Sequence, residues 1–311
     1  MKWCSVISRP RNSILNQGPL AASLRQKPGF HGYGLFVLPA LLLSLLVTFV
    51  PGLLTFAASL TNWDGISQPS WVGLENFREL LYDVAFWRAI FNNVKWTVLF
   101  LTVPMALSLL VASILLNHKR SHAAYQVIFL IPYVLSPIAN TAIWTNIIFD
   151  PLDGVVGFLN RHLLAMSDPL GRPGSALYGV AAIDIWHFWG YLTVVFFAAM
   201  RQVPQDQLEA AMLEGANGWQ VFRYVTLPNI RPTIALMFAM VTIFSFLTFD
   251  YVYLTTKGGP GYATEVLSVL AYRSAFESLE VGKAAAVALV MSLFGLIAAV
   301  GYVRLSRDSL R

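Results

Sequence analysis

Residues 35–60 read LFVLPALLLSLLVTFVPGLLTFAASL, a run with no Asp, Glu, Lys or Arg anywhere in it. An α-helix rises about 1.5 Å per residue and a bilayer's hydrocarbon core is about 30 Å thick, so about 20 such residues cross it. The run is continuous rather than alternating, which excludes a strand of a membrane barrel. It is also longer than the apolar core of a signal peptide, roughly 7–15 residues. Ala57-Ala58-Ser59 lies too far along to serve as a cleavage site. The segment reads as an uncleaved membrane helix.

Outward from that helix, the same absence of charge recurs at 96–118, 121–149, 232–249 and 284–303, and residues 177–200 carry one charge, Asp184. The pattern predicts an all-α integral membrane protein with six spans, at about 34–60, 94–116, 123–148, 177–200, 232–255 and 284–303. Composition agrees. Of 311 residues 57% are hydrophobic and 12% charged, against about 25% charged in soluble proteins. That is too little ionisable surface to coat a soluble body. The single cysteine, Cys4, excludes an internal disulfide and a cysteine-rich metal site.

The net charge of +5 has no basic stripe interleaved with aromatics, so a nucleic-acid partner is not expected. The basic residues follow membrane topology instead. With the N-terminus in the cytoplasm, 13 Lys and Arg fall inside and 8 outside, while acids run 4 inside to 10 outside. The positive-inside rule then places both termini in the cytoplasm. The expected organisation is a polar, mobile arm over 1–30, a six-helix membrane domain over 31–305 and a short tail over 306–311. The outer loops 61–93, 149–176 and 256–283 are long enough to form a surface.

The inner loop 201–231 reads RQVPQDQLEAAMLEGANGWQVFRYVTLPNIR. Pro204 opens it, and Asp206 is expected to cap a helix running from Leu208 to Glu214. Gly215 and Gly218 are expected to stop that helix. A second short helix follows over Trp219–Tyr224, ended by Pro228. Ala210 and Ala211 leave a smooth face that a partner's cleft could approach closely. A helix lying flat on lipid is the plain alternative, but two acids and no base in the first helix do not suit it.

For a solute route, the strongest residue is Asp184, about 10 Å from the outer end of the fourth span. A carboxylate at the centre of a membrane helix costs about 2.5–3.5 kcal/mol, so it should face a cavity or a partner. His187 and Tyr191 share its face at i+3 and i+7, with Trp186 and Trp189 nearby. Hydroxyl-bonding groups beside aromatic faces suit a neutral carbohydrate. The bland reading, in which Asp184 and His187 pair with each other or with another helix and merely hold the bundle, stays open. Asn140 and Trp144, one turn apart on the third span, are weaker candidates. Asp250, near the outer end of the fifth, reads more as a structural cap than as a substrate contact. No Lys or Arg lies deep in a span, which favours a neutral solute over an anion.

Glu209-Ala210-Ala211, Gly215-Ala216 and Leu227-Pro228 together resemble the signature cytoplasmic loop of ABC importer permease subunits. Glu214 stands where that family commonly has Asp, and Val225 where it has Ile. Trp71 to Phe77, Ile131-Pro132 with Trp144, and Gly154 with Asn160 are similar to carbohydrate importer permeases of the maltose, or MalF-like, type. So are Phe249-Asp250 with Tyr253, Thr256 and Gly258-Gly259-Pro260, although Thr255 replaces a common leucine. The resemblance covers about 34–303.

It implies a type I importer permease fold in the bacterial cytoplasmic (inner) membrane. The solute it implies is a sugar or oligosaccharide, with glycerol phosphate or another small polar solute as the alternative. Glu209, Ala210, Ala211, Glu214, Gly215, Leu227 and Pro228 would couple the chain to its motor. The implied partners are P-loop ATPase subunits, a second homologous permease, an extracytoplasmic solute-binding protein and the surrounding membrane lipid.

The chain itself has no G-x-x-x-x-G-K-[ST] and no H-E-x-x-H. His118 and His122 flank Lys119 and Arg120 in a tight inner turn, which reads as a solvated loop rather than a metal site. No cofactor, metal or catalysis is expected in this chain; ATP and Mg belong to the partner ATPase. An ion-driven transporter half would need a mate for Asp184 in an inverted repeat. A membrane enzyme would need a nucleophile or metal beside Asp184. Neither is present in the sequence pattern. Gly215→Asp is expected to uncouple transport.

Overall fold

The computed structural model describes residues 31–116, 122–162 and 168–308, and they are mainly helical. Their single β pairing is an isolated bridge between Thr61 and Trp71. The arm 1–30 and the Lys119-Arg120 turn lie outside the described residues. Two units divide the chain, residues 1–53 and 54–311. The described part of the first is α1 (His31–Ser44), a π-helical turn Leu45–Phe49 and the beginning of α2 (Val50–Ser59). Its side chains from Val37 to Leu53 are exposed, as a lipid-facing span requires.

The second unit holds the other membrane helices. Outer helix α3 (Glu75–Tyr82) is followed by α4 (Val84–Leu116). The latter begins ten residues before the expected 94, because the Asp83 carboxylate accepts the Ala85 amide at 2.8 Å and starts it there. A charge-free run marks only the part in hydrocarbon. At 33 residues the helix is about 50 Å long, and Arg88 and Lys95 sit toward its N-terminal end.

The third span is not one helix. It comprises α5 (His122–Val134) and α6 (Pro137–Ile143) with a π-helical turn Trp144–Ile148, bent by 96° at the break. Pro137 has no N–H to continue the ladder and forces the preceding residue out of the helical region. Ser136 accordingly has ψ 150°, and its hydroxyl accepts the Ala139 amide at 3.3 Å. After α7 (Val155–His162), α8 (Ala176–Met200) matches the fourth expected span closely. The fifth is α12 (Arg231–Leu247) and α13 (Asp250–Thr255), separated at Thr248-Phe249. The outer helix α14 (Leu267–Phe276) and the last span, α15 (Val281–Asp308), complete the unit. Among the described residues five helices are long and apolar enough to cross a membrane, or six if the bent pair counts as one span.

The main core lies between α4 and α8, around Trp96, Phe100, Ile183, Leu192 and Phe196. At the crossing of α5 and α8 a Cβ on Gly190 would stand 1.8 Å from the Phe129 carbonyl oxygen, so glycine is what admits α5 to this depth. The kink between α12 and α13 contains no Gly or Pro. Neighbouring side chains hold it: fully buried Asn93 donates to the Ser245 carbonyl at 2.8 Å and accepts the Leu267 amide at 2.9 Å. Ser268 donates to the Thr248 carbonyl. Next to it, Asn92 donates to the carbonyls of Ala263 and Glu265 at 3.1 and 2.9 Å. Backbone groups freed at this depth have no water to bond and must find protein partners. In the outer loop, Arg273 meets buried Glu265 at 3.2 Å. Burial pushes that carboxyl above the usual range, and the guanidinium partly offsets the effect.

Candidate functional site

The loop at 201–231 is a folded unit. Helix α9 (Gln205–Leu213) begins after Pro204, which itself occupies the cap position. Asp206 therefore lies in the first turn and makes no cap hydrogen bond, though its charge suits the helix dipole there. Gly215, at φ +86°, ends the helix: its amide bonds the Met212 carbonyl and the Ala216 amide bonds the Ala211 carbonyl, both at 3.0 Å.

Gly218 does not stop α9; it opens α10 (Gly218–Val221). Asn217 caps that helix by accepting the Gln220 amide at 2.9 Å, while the Gln220 side chain accepts the Asn217 amide at 2.8 Å. This reciprocal box is legible in the sequence as N-x-x-Q. The helix runs on through a π-helical turn, Phe222–Thr226, into α11 (Leu227–Asn229). Pro228 is tolerated in the first turn of α11, and the break falls at Ile230 rather than at the proline. Asn229 ties the unit together by donating to Gln207 Oε1 at 2.9 Å and to the Val225 carbonyl at 2.8 Å.

Of the residues singled out in this loop, Glu209, Ala210, Glu214 and Gly215 are exposed, while Ala211, Leu227 and Pro228 are half-buried. Leu213 is 89% exposed and Trp219 69%. Large apolar side chains so exposed on a polar loop mark an interaction surface.

The second constellation lies at about the middle of α8. His187 Nδ1 is 3.0 Å from the Pro132 carbonyl oxygen and 3.1 Å from Asn140 Nδ2, and the tautomer decides which of the two it bonds. Asn140, fully buried, places Nδ2 3.3 Å from that carbonyl and 3.0 Å from Tyr251 Oη. Tyr133 stacks on His187 at 5.1 Å and on Tyr191 at 4.8 Å between ring centroids. Trp144 packs edge-on to Trp186 at 5.8 Å. Three buried polar atoms here have no hydrogen-bond partner: Asn140 Oδ1, Thr141 Oγ1 and Trp144 Nε1. They lie on adjoining positions of one helix and call for a ligand hydroxyl or water that both donates and accepts.

The structure sets Asn140 of the third span against His187 and, through Tyr133, Tyr191 of the fourth, with Trp144 packed on Trp186 nearby, and adds Tyr133, Thr141 and Tyr251. His187 and Asp184 are not hydrogen-bonded to each other: the imidazole lies against the Pro132 carbonyl of another helix, α5, and half-buried Asp184 has no hydrogen bond among the described residues. Asp250 is exposed at the first position of α13 and makes no cap hydrogen bond. Among the described residues no group of His, Cys, Asp and Glu could hold a metal ion. The cluster offers aromatic faces and hydrogen-bonding groups, which is equipment for holding a polar, ring-shaped solute rather than for transforming it.

Residues 117–309 match the family of binding-protein-dependent transport system inner membrane components. A probable ABC transporter permease of Pyrococcus horikoshii is 30% identical, over 90% of this chain and 97% of its own. The trehalose/maltose transport system permease protein MalF of Thermococcus litoralis is 29% identical, over 81% of this chain and 86% of its own. Among solved structures, a bacterial ABC transporter involved in import of the acidic polysaccharide alginate has a chain of the same fold. Its TM-score is 0.77 at 24% identity, covering 89% of this chain and 95% of that one.

Proposed function

The chain belongs to the family of binding-protein-dependent transport system inner membrane components, and from that premise we propose that it forms half of the membrane passage of an ATP-driven sugar or oligosaccharide importer. It is a transport subunit and a multi-pass membrane protein. In this reading a second, homologous permease supplies the other half, and P-loop ATPases, which bind ATP and Mg, seat on loop 201–231. An extracytoplasmic binding protein delivers the solute, and both termini face the cytoplasm.

The observation that carries the solute class is the cluster around Asn140 and His187, with three buried polar atoms awaiting partners between aromatic rings. A sugar ring offers hydroxyls to the first and C–H faces to the second. The unpaired carboxyl of Asp184, and the absence of Lys and Arg from the middle of α8, disfavour an anion. The name of the trehalose/maltose relative supports the same class.

The geometry also gives the loop a way to act. Four residues join α8 to α9, and Ile230 alone separates α11 from α12. A push on the α9–α11 unit therefore reaches both helices that carry the cluster, α8 with His187 and the α12–α13 span with Tyr251. Closing the ATPases would move the two halves of the cluster relative to each other and switch its access from one side to the other.

The test is uptake of labelled trehalose, maltose and longer oligosaccharides into proteoliposomes containing the complex purified from native cells. Asn140→Leu removes the hydrogen bonds at the cluster's centre. It should lower uptake about tenfold while the ATPase still copurifies. Uptake driven by an ion gradient without any ATPase, or uptake of phosphorylated solutes alone, would overturn the reading.

A further inference from the structure

The coupling loop has a second face. Between it and the inner ends of α4 and α8 runs a groove of about 1330 Å3. Leu109, Leu110 and Ile114 of α4 form one wall, Phe197 and Met200 of α8 another, and the loop closes it with Leu208, Met212 and Phe222. On α9 the groove takes Gln205, Leu208 and Met212, spaced i, i+3 and i+7. Asp206, Glu209 and Leu213 repeat that spacing one residue on, about 100° round the helix. So α9 presents one face to the groove and a different, acidic face to the cytoplasm.

Among the described residues lining the groove, Arg201 is the single charged side chain. Its guanidinium lies 5.8 Å from the centre of the Phe197 ring, and no described carboxylate pairs with it. An apolar channel with an unpaired cation at its mouth, at the level where spans meet a cytoplasmic loop, matches the two halves of one molecule. Acyl chains suit the walls and a phosphate suits the arginine.

We infer that this groove binds an anionic phospholipid of the inner leaflet, and that the lipid supports α9 from behind while a partner engages its other face. The coupling loop would then respond to membrane composition. The inference rests on the orientation proposed above, with loop 201–231 cytoplasmic.

Native mass spectrometry of the chain, in its complex and alone, with phosphatidylglycerol or phosphatidylcholine added to the detergent, tests the site. Bound lipid is read without reference to transport, so this result can fail while the importer reading stands, and the reverse. Phosphatidylglycerol should be retained over phosphatidylcholine. Arg201→Gln should weaken that retention about fivefold. Ala106→Trp, at an exposed groove position, should abolish it with Arg201 still in place. In nanodiscs, ATP turnover coupled to uptake should rise with the phosphatidylglycerol fraction in the unsubstituted protein and stay flat in Ala106→Trp. Equal retention of both lipids, retention unaffected by either substitution, or a protein segment seated in the groove in the assembled complex would overturn the proposal.

Discussion

Gly215 separates two explanations of why loop 201–231 ends its first helix with glycine. Its φ is +86°, a region that costs an ordinary L-residue about 1–2 kcal/mol. Yet a Cβ built there meets nothing within 4 Å, so within this chain the cost of a side chain is purely conformational. Asn tolerates positive φ, whereas Ala does so poorly and a β-branched Val worse. If the loop needs only this backbone turn, Gly215→Asn should couple almost normally. Gly215→Ala should then lose a factor of about 5–30 in the population with the native turn, and Gly215→Val more. Gly215→Asp adds a negative charge at a helix C-terminus, costing a further 0.3–1 kcal/mol or so. If instead a partner's surface comes against Gly215, then Asn, Ala and Asp should all fail alike, because the space a Cβ would occupy is then filled by the partner. The assay is a paired one on the reconstituted complex, ATP turnover and solute uptake from the same vesicles, with the retained ATPase subunit quantified. Uptake per ATP as in the unsubstituted protein for both the Ala and Val variants would refute the reasoning, since neither explanation permits it.

Two further substitutions test the frame that holds the sites. Gly190→Ala places a Cβ 1.8 Å from the Phe129 carbonyl oxygen and must drive α5 off α8. It should destabilise by about 3 kcal/mol or more and broaden the size-exclusion profile, whereas Gly295→Ala, with nothing within 4 Å, should leave both yield and Tm unchanged. Arg273→Met leaves buried Glu265 without the guanidinium that offsets its raised pKa. A carboxyl whose folded pKa exceeds its unfolded value favours the fold below the usual carboxylate range and loses that contribution as pH rises through the folded pKa. The variant's Tm, followed by tryptophan fluorescence, should therefore recover as pH falls from neutral toward 4 or so. The double variant with Glu265→Gln should show no such recovery, and a single-variant profile parallel to the unsubstituted protein would sink the argument.

Runs with one charge or none made the spans readable because the length of an apolar stretch follows from hydrocarbon thickness, whatever breaks lie within it. Loop 201–231 was readable for a different reason: glycine, proline and acids act locally, so a helix ending at Gly215 could be read from the residue itself. The fifth span's kink had no such signal. Ser245, Thr248 and Phe249 are ordinary helix residues, and what stabilises the break is Asn93 and Ser268, brought in by tertiary packing from α4 and α14. The third span's break did have a signal, in Ser136-Pro137. It was masked because the hydrophobic run continues unbroken on both sides, and a count of charges does not register a missing amide.

That missing amide also explains why the site was only half legible. Helical spacing placed His187 and Tyr191 on one face of α8, and Asn140 and Trp144 one turn apart, and those relations hold. Spacing alone would join His187 to Asp184. But Pro137 forces Ser136 out of the helical region, so the Ser136 amide that would have bonded the Pro132 carbonyl is lost to it, and a carbonyl freed at bilayer depth needs another partner. His187 Nδ1 and Asn140 Nδ2 lie beside it, at 3.0 and 3.3 Å. The same event turns α6 by 96° and buries Thr141 Oγ1 and Trp144 Nε1 without partners. The polar cluster is therefore a product of the broken helix. In the proposed importer its hydrogen bonding to solute hydroxyls and its capacity to move would share one cause, because any push that changes the angle at Ser136 must also change which groups the Pro132 carbonyl can hold.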